Sequence, residues 1–401
     1  MLGEPWLPYT MKFTHLSDCH LGSWRYPELQ ELNFQSFRKA IDISIKEKVE
    51  LVLISGDIFD SAYPSIEILK ESFSEFRRLK ESGIPCFIIA GSHDYSASGK
   101  SFLDVLEKAG LCVNAHKAEE REGSIILMPT IYRNYAIYGY PGKKSNMEIP
   151  EIVKIKLHDA PGFYKILMLH TALSFASNDM MESIDENKLP NADYYALGHL
   201  HVDKPYKNFV YAGPTFPNNF QELEELKYGK FYIIENNYPR KIELKIKDVE
   251  PISIEIKNAL LANHIILTEL SKKNIEDKII LLRLYGNIER GKLSNINFSE
   301  IEEYAKSKKC CALIKSTSQL YVSESDVATM LNNEVENIQQ IEDELVNAYA
   351  KENPSEFNSI ILQLMRALDI EKKEDENAEI FASRLLEDVN RIIHYNDTQK
   401  T

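Results

Sequence analysis

Three apolar runs near the start of the chain, KFTHLS (12–17), ELVLIS (50–55) and PCFIIA (85–90), each stop at a small group of Asp, Gly and His residues: DCH, GD and GSHD. Between them lie QSFRKAIDISIKEK (35–48) and SIEILKESFSEFRRLKES (65–82), whose apolar residues recur at helical spacing. The second of these ends at Gly83, a C-terminal stop, and SFLDVLEKAG (101–110) closes on a glycine in the same way. A buried strand followed by an amphipathic helix, repeated, predicts a central sheet with helices packed outside it.

The pattern then changes. SIILMPT (124–130), YAIYGY (135–140), KILMLH (165–170), ADYYALGH (192–199), FVYAGP (209–214) and GKFYIIE (229–235) follow one another with little helix between them. Such a series predicts a second sheet. Residues 1–240 are therefore expected to form one α/β domain with two packed sheets. Polar residues interrupt the core pattern over 235–251, and a compact strand-helix mixture over 250–328 predicts a small α/β domain. Three amphipathic stretches, 334–351, 355–372 and 377–394, predict a helical C-terminal segment over 334–401, with the charged joint KKEDEN (372–377) between the last two.

Composition narrows the functional classes. Of 401 residues, 44% are hydrophobic, enough for a sizeable core, and the formal net charge is −14. An acidic chain does not hold nucleic acid by bulk charge; local basic groups, metals or a partner must supply the attraction. The five cysteines are odd in number and no pair has a zinc-site spacing, which fits free thiols in a reducing compartment. MLGEPWLPYT does not read as a signal peptide, no stretch is apolar for about 18 residues, and the expected location is cytoplasmic and nucleoid-associated.

The chemistry-bearing residues sit at the ends of the strands: Asp18 and His20, Asp57, then Ser92, His93 and Asp94, then His170, then His199 and His201. At the ends of strands in an α/β sheet they converge on one edge, where ligands bind. Asp18 and His20 are two apart, as are His199 and His201, so on extended backbone each pair faces one way. Mixed imidazole and carboxylate donors suit a borderline divalent metal such as manganese, iron, zinc, cobalt or nickel, and suit calcium poorly. The donors are too many for one catalytic ion with an open position, and two ions sharing a carboxylate use them well. Such ions sit about 3.5–4 Å apart and act on phosphoesters. The remaining histidines, His15, His116, His158, His264 and His394, lack such neighbours and are read as structural or surface residues.

The ordered set DCH (18–20), GD (56–57), GSHD (91–94), His170 and GHLH (198–201) resembles the calcineurin-like metallophosphoesterase superfamily, over roughly residues 12–235. SDCHLG and YYALGHLHV resemble, within it, the DNA double-strand-break repair nucleases, the SbcD-like subunit that works with an SMC-like ABC ATPase. The resemblance implies a first metal on Asp18, His20 and His201, a bridging Asp57, and a second metal on His170 and His199. Ser92 stands where that family has an Asn metal ligand, and a serine hydroxyl is a shorter and weaker ligand. His93 is implied as the catalytic histidine beside the metals, with Asp94 orienting it. Also implied are two manganese ions, endonuclease action on single strands, 3′–5′ exonuclease action at duplex ends, and a homodimer. The 250–328 domain is implied to cap the active site, and the terminal helices to clasp the ATPase. GSWRYPELQELNF (22–34), with Trp24, Arg25 and Tyr26, is implied near DNA and the dimer partner; the loop YSASGKS (95–101), with Lys100, reads either as a loop that approaches phosphates or as an ordinary polar loop. Two other readings use the same residues: a phosphodiesterase for nucleotides or other small molecules, and a scaffold that binds DNA ends but, with Ser92, cuts poorly.

Overall fold

The structure, a computed structural model, describes residues 11–322 apart from 97–100, 178–180 and 203, and beyond these 346, 358, 360–368, 381, 383–387 and 389–392. Lys100 and most of the 334–401 segment lie outside the described residues. The chain divides into two units, Met1–Tyr321 and Val322–Thr401. Of the small α/β domain expected over 250–328, residues up to 321 lie within the first unit.

Two six-stranded sheets form the larger part of the first unit. The chain runs β1 (Lys12–Leu16), α1 (Pro27–Lys46), β2 (Val52–Ser55), α2 (Ile66–Glu81), β3 (Cys86–Ile89), α3 (Leu103–Lys108) and β4 (Val113–Asn114). A side hairpin, β5 (Ala118–Arg121) and β6 (Ser124–Leu127), precedes β7 (Thr130–Tyr132), β8 (Tyr135–Tyr140), α4 (Ile149–Ile152), β9 (Ile155–Leu157), β10 (Tyr164–His170) and β11 (Tyr194–Gly198). Then come β12 (Lys204–Tyr206), β13 (Phe209–Tyr211), α5 (Phe220–Leu226), β14 (Gly229–Glu235) and β15 (Tyr238–Leu244). The first sheet has the order β15-β14-β1-β2-β3-β4 and the second β12-β13-β11-β10-β8-β7. β1, β2 and β3 are parallel neighbours, as are β8, β10, β11 and β13. This is the two-sheet α/β sandwich expected from the pattern.

Alternation along the strands assigns every core layer. Leu53 of β2, Phe87 and Ile89 of β3, Ile166 and Met168 of β10, and Tyr194 and Ala196 of β11 meet between the sheets. Their neighbours Val52, Ile54, Cys86 and Ile88 face the outer helices of the first sheet. Leu167, Leu169, Tyr195 and Leu197 face outward from the second. A strand buried on both faces reads as a continuous apolar run, which is why these segments were visible in the sequence. α2 begins where Ser65 accepts the N–H of Ile68, a side-chain cap. α1 begins earlier than its periodicity suggested, with Pro27 in its first turn, and buries Leu29 and Leu32.

A smaller sheet follows, made of β16 (Val249–Glu255), β17 (Ile279–Ile288) and β18 (Ala312–Val322), with α6 (Ala262–Ser271) and α7 (Phe298–Ser307) on one face. Its other face joins the sandwich through a seam of Trp24, Leu29, Leu32, Phe216 and Leu223 against Val249, Ile279, Leu281, Ala312 and Ile314. Trp24 is therefore a core residue, and its indole N–H donates to the Pro217 carbonyl at 2.9 Å. Arg25 and Tyr26 beside it are exposed. In the second unit, α8 (Ile361–Leu368) leaves Met365 and Leu368 exposed. Among the described residues no helix is long and apolar enough to cross a membrane, and all five cysteines are free thiols.

His15 ties the two sheets together. It is fully buried, with Nδ1 2.9 Å from the Tyr194 hydroxyl and Nε2 3.1 Å from Ser55 Oγ. Burial pushes its pKa down to about 3, against a weaker pull upward from the backbone at Leu197. Between that value and about 6.5 the unfolded chain binds one proton more than the folded one, so stability falls as pH drops through this window, by up to about 1.4 kcal/mol per pH unit. His15→Gln removes that proton. In urea unfolding of chelator-treated protein, the stability gap between wild type and His15→Gln should narrow as pH falls from 7 to 4. A gap that stays constant would show that His15 is not buried neutral.

Candidate metal centre

The strand-end residues come together at the carboxyl ends of the parallel strands of both sheets. Asp18 and His20 follow β1, Asp57 follows β2, and Ser92, His93 and Asp94 follow β3. From the second sheet, His170 is the last residue of β10, and His199 and His201 follow β11. Asp18, His20, Asp57 and His199 all have positive φ, of 50°, 41°, 50° and 91°. Asp and His adopt this left-handed region more readily than bulkier residues, and clusters of such residues mark functional sites. The turns are held together by backbone bonds, Asp18 N–H to the Gly56 carbonyl at 3.0 Å and His20 N–H to the Asp57 carbonyl at 2.9 Å.

Glycine is required where chains pass closest. A Cβ at Gly198 would lie 2.0 Å from the Ser55 carbonyl oxygen, and one at Gly91 would lie 2.2 Å from Asp57 Oδ1. Both positions let the backbone of one loop touch the ligand of another.

Donor atoms fall into three overlapping groups, each within 4.8 Å: Asp18, His20 and His201; His20, Asp57 and His93; and Asp18, Asp57 and His170. His20 Nε2 is 3.2 Å from His201 Nε2 and 3.7 Å from Asp57 Oδ2. His201 Nε2 is 3.8 Å from Asp18 Oδ1, and His170 Nε2 is 3.2 Å from Asp57 Oδ2. Asp57 thus belongs to two of the three groups, one with His20 and one with His170. The His199 ring lies 5.2 Å from that of His170, and its backbone N–H donates to Asp18 Oδ1 at 2.9 Å. Ser92 Oγ donates to Asp57 Oδ2 at 3.4 Å.

This chemistry fits a divalent cation. His170 Nε2 and His20 Nδ1 are buried and make no well-aligned hydrogen bond, although carboxylate oxygens of Asp57 and Asp60 lie 3.2 and 3.4 Å away, a grouping of donor atoms that a shared cation would satisfy. His170 Nδ1 is 2.9 Å from the Ser55 carbonyl, which directs Nε2 at Asp57. Burial opposes charge on Asp57 and on His170, yet each holds the other charged. The carboxylate stays well below its usual range and the imidazole is pushed up to about 10. His199, by contrast, is pushed down to about 4 by burial and by His170.

Two groups near the centre carry no motif signature. Asp60, the last residue of GDIFD, places Oδ1 3.4 Å from His20 Nδ1, and its carbonyl oxygen is 2.8 Å from His93 Nδ1. Glu222 accepts a bond from His201 Nδ1 at 2.9 Å. The His93 ring is oriented by the Asp60 carbonyl, whereas the sequence suggested Asp94. Asp94 instead accepts the N–H groups of Ile58, Phe59 and Gly91 at 3.3, 3.0 and 2.9 Å. It braces the turn that carries His93. Burial and the Asp57 charge push Asp94 up to about 6, although those three N–H groups pull it down. His93 sits at the mouth, 48% exposed, with its ring 4.8 Å from that of His20. Clefts open beside the cluster: one of 420 Å³ past Leu21, Asp60 and Tyr63, another of 480 Å³ past Met181, His199, His201 and Glu225.

Residues 11–203, just under half of the chain, match the calcineurin-like phosphoesterase family and form a domain of that kind. Among curated relatives, the DNA double-strand break repair protein Mre11 of Archaeoglobus fulgidus is 25% identical over 276 residues, 61% of this chain and 62% of that one. The protein of the same name from Methanocaldococcus jannaschii is 27% identical over 311 residues, 74% of this chain and 78% of that one. That from Methanosarcina mazei is 29% identical over 325 residues, 74% of this chain and 48% of that one. Two of these three relatives are thus matched over less than two thirds of their own length.

Asp57 belongs to donor groups on both sides of the centre, so Asp57→Asn should remove most metal uptake, while His170→Ala should spare one ion. Metal analysis after manganese loading and gel filtration checks this. Equal loss in the two variants would place Asp57 on one ion only.

Proposed function

We propose that the chain is a manganese-dependent DNA nuclease of double-strand-break repair, cutting single strands internally and duplex ends from the 3′ side. The observation that carries the reading is Asp57, a buried carboxylate that groups with His20 and His93 and again with Asp18 and His170. The repair proteins among its relatives support DNA as the substrate.

In this reading Asp18, His20 and His201 hold one ion, Asp57 is shared, and His170 and His199 hold the second with Ser92 as a weak ligand. Two divalent ions bound there would neutralise phosphate charge and lower the pKa of bound water. His93, at the mouth and braced through Asp60, delivers a proton to the leaving oxygen. Asp94 keeps its turn in place. DNA enters along the open clefts on either side of the centre. The proposal extends to a two-fold dimer and to a separate SMC-like ABC ATPase gripped by the 334–401 segment, whose helix α8 exposes Met365 and Leu368.

The test is cleavage of end-labelled single-stranded and duplex DNA with manganese, beside a panel of cyclic nucleotides and nucleotide monophosphates. DNA products are expected, with a preference over the small substrates. Cleavage of the nucleotides alone would make the protein a small-molecule phosphodiesterase; DNA binding without cleavage at saturating manganese would make it a scaffold. His93→Ala should lower kcat by about 10²- to 10⁴-fold while leaving manganese affinity within about twofold. Ser92→Asn should tighten the weaker manganese site; unchanged affinity would remove Ser92 from the ligand set.

A further inference from the structure

α5 touches the metal cluster with one residue and the small sheet with the next ones. His201 Nδ1 donates to Glu222 Oε1 at 2.9 Å, so that in the neutral ring the lone pair is on Nε2, which faces His20 and Asp18. Glu222 is held in turn by the Asn218 N–H at 2.9 Å and by Asn219 Nδ2 at 2.7 Å. Two residues on, Glu224 accepts two bonds from Arg283 of β17, Nη2 to Oε2 at 2.6 Å and Nε to Oε1 at 3.3 Å. The same guanidinium lies 4.9 Å from the centre of the Phe220 ring. Leu223 is fully buried in the seam with Val249, Ile279 and Leu281.

α5 has only seven residues. A helix that short does not hold itself, since isolated helices below about 12–15 residues are marginal in water. Its entry is pinned by Trp24 on Pro217. Its body is placed by the small sheet, through the Arg283 fork and the Leu223 contacts. The Arg283 side chain is only 17% exposed, so the pair is shielded from solvent and its planar fork fixes direction as well as distance.

We infer that the Arg283–Glu224 pair of the small sheet is a positioning device for the metal cluster, setting the affinity of the Asp18–His20–His201 site through α5 and Glu222. The inference rests on the reading of those three residues as a metal site. It makes the docking of the small sheet and the loading of one ion two aspects of a single equilibrium: whatever loosens β17 from α5 weakens that ion, and binding of that ion tightens the seam.

Manganese titration of the full chain tests it, by calorimetry and by electron paramagnetic resonance of the bound ion. The proteins are wild type, Glu222→Gln, Arg283→Met, Glu224→Gln and the double variant Glu222→Gln/Arg283→Met. Glu222→Gln should weaken one of two sites about tenfold, and Arg283→Met and Glu224→Gln should weaken that same site about three- to tenfold. The other site should stay unchanged. The double variant should lose no more than Glu222→Gln alone, because Arg283 acts through Glu222. The charge swap Arg283→Glu/Glu224→Arg should restore affinity. Glu224→Gln keeps the side-chain shape and serves if Arg283→Met fails to fold. Equal weakening of both sites, losses that multiply in the double variant, or affinities within twofold of wild type would each overturn the inference. A wild-type chain with two manganese sites and no response at Arg283 overturns this inference alone. A wild-type chain that takes up no manganese overturns the metal reading with it.

Discussion

A buried carboxylate governs this molecule. Asp57 is 3% exposed, receives the His93 N–H at 2.8 Å, and lies 3.2 Å from an imidazole on the opposite sheet. An unpaired charge in such a place costs several kcal/mol, so positive or hydrogen-bonding groups must surround it. His170 arrives from β10, so the two sheets have to pack in the one register that brings their strand ends within contact. The donor cluster and the sandwich therefore specify each other.

The scaffold supplies that register through ordinary alternation. Each central strand sends alternate residues to the layer between the sheets and to the outer helices, so a slip by one residue would expose a whole row of apolar side chains. His15 and Tyr194 add a polar tie at the same depth. Against this rigid base, four donor-bearing positions adopt left-handed backbone, each at a cost of about 1–3 kcal/mol. The core and the backbone bonds between the β1 and β2 turns offset it.

The strands were legible because burial on both faces makes their residues uniformly apolar, and the donors were legible because each follows such a run. What the sequence hid was non-local. Glu222 lies in the first turn of a short acidic helix, 21 residues from His201, and nothing in FQELEEL marks one glutamate from the others. Asp60 acts partly through its carbonyl, which carries no side-chain signature at all. Asp94 reads as the natural partner of its neighbour His93, but its oxygens point back at three N–H groups of the turns. Trp24 looked available to a ligand, and the seam with the small sheet covers it; only the position of β16 and β17 shows this. α1 was read too short, because helical spacing was followed only over 35–48, whereas the helix starts at Pro27.

The order of the first sheet carries one more consequence. β14, from residues 229–235, lies between β1 and β15, so the strand that bears Asp18 has one edge open until more than half the chain has been synthesised. An unpaired edge on a growing chain is a template for wrong pairing. On the ribosome, β1 to β4 emerge early with their helices, yet they remain a half-built sheet for well over a hundred residues of elongation. That edge closes only when β14 pairs with it, and the donor cluster is complete only once His201, the last of its donors in the chain, has been made.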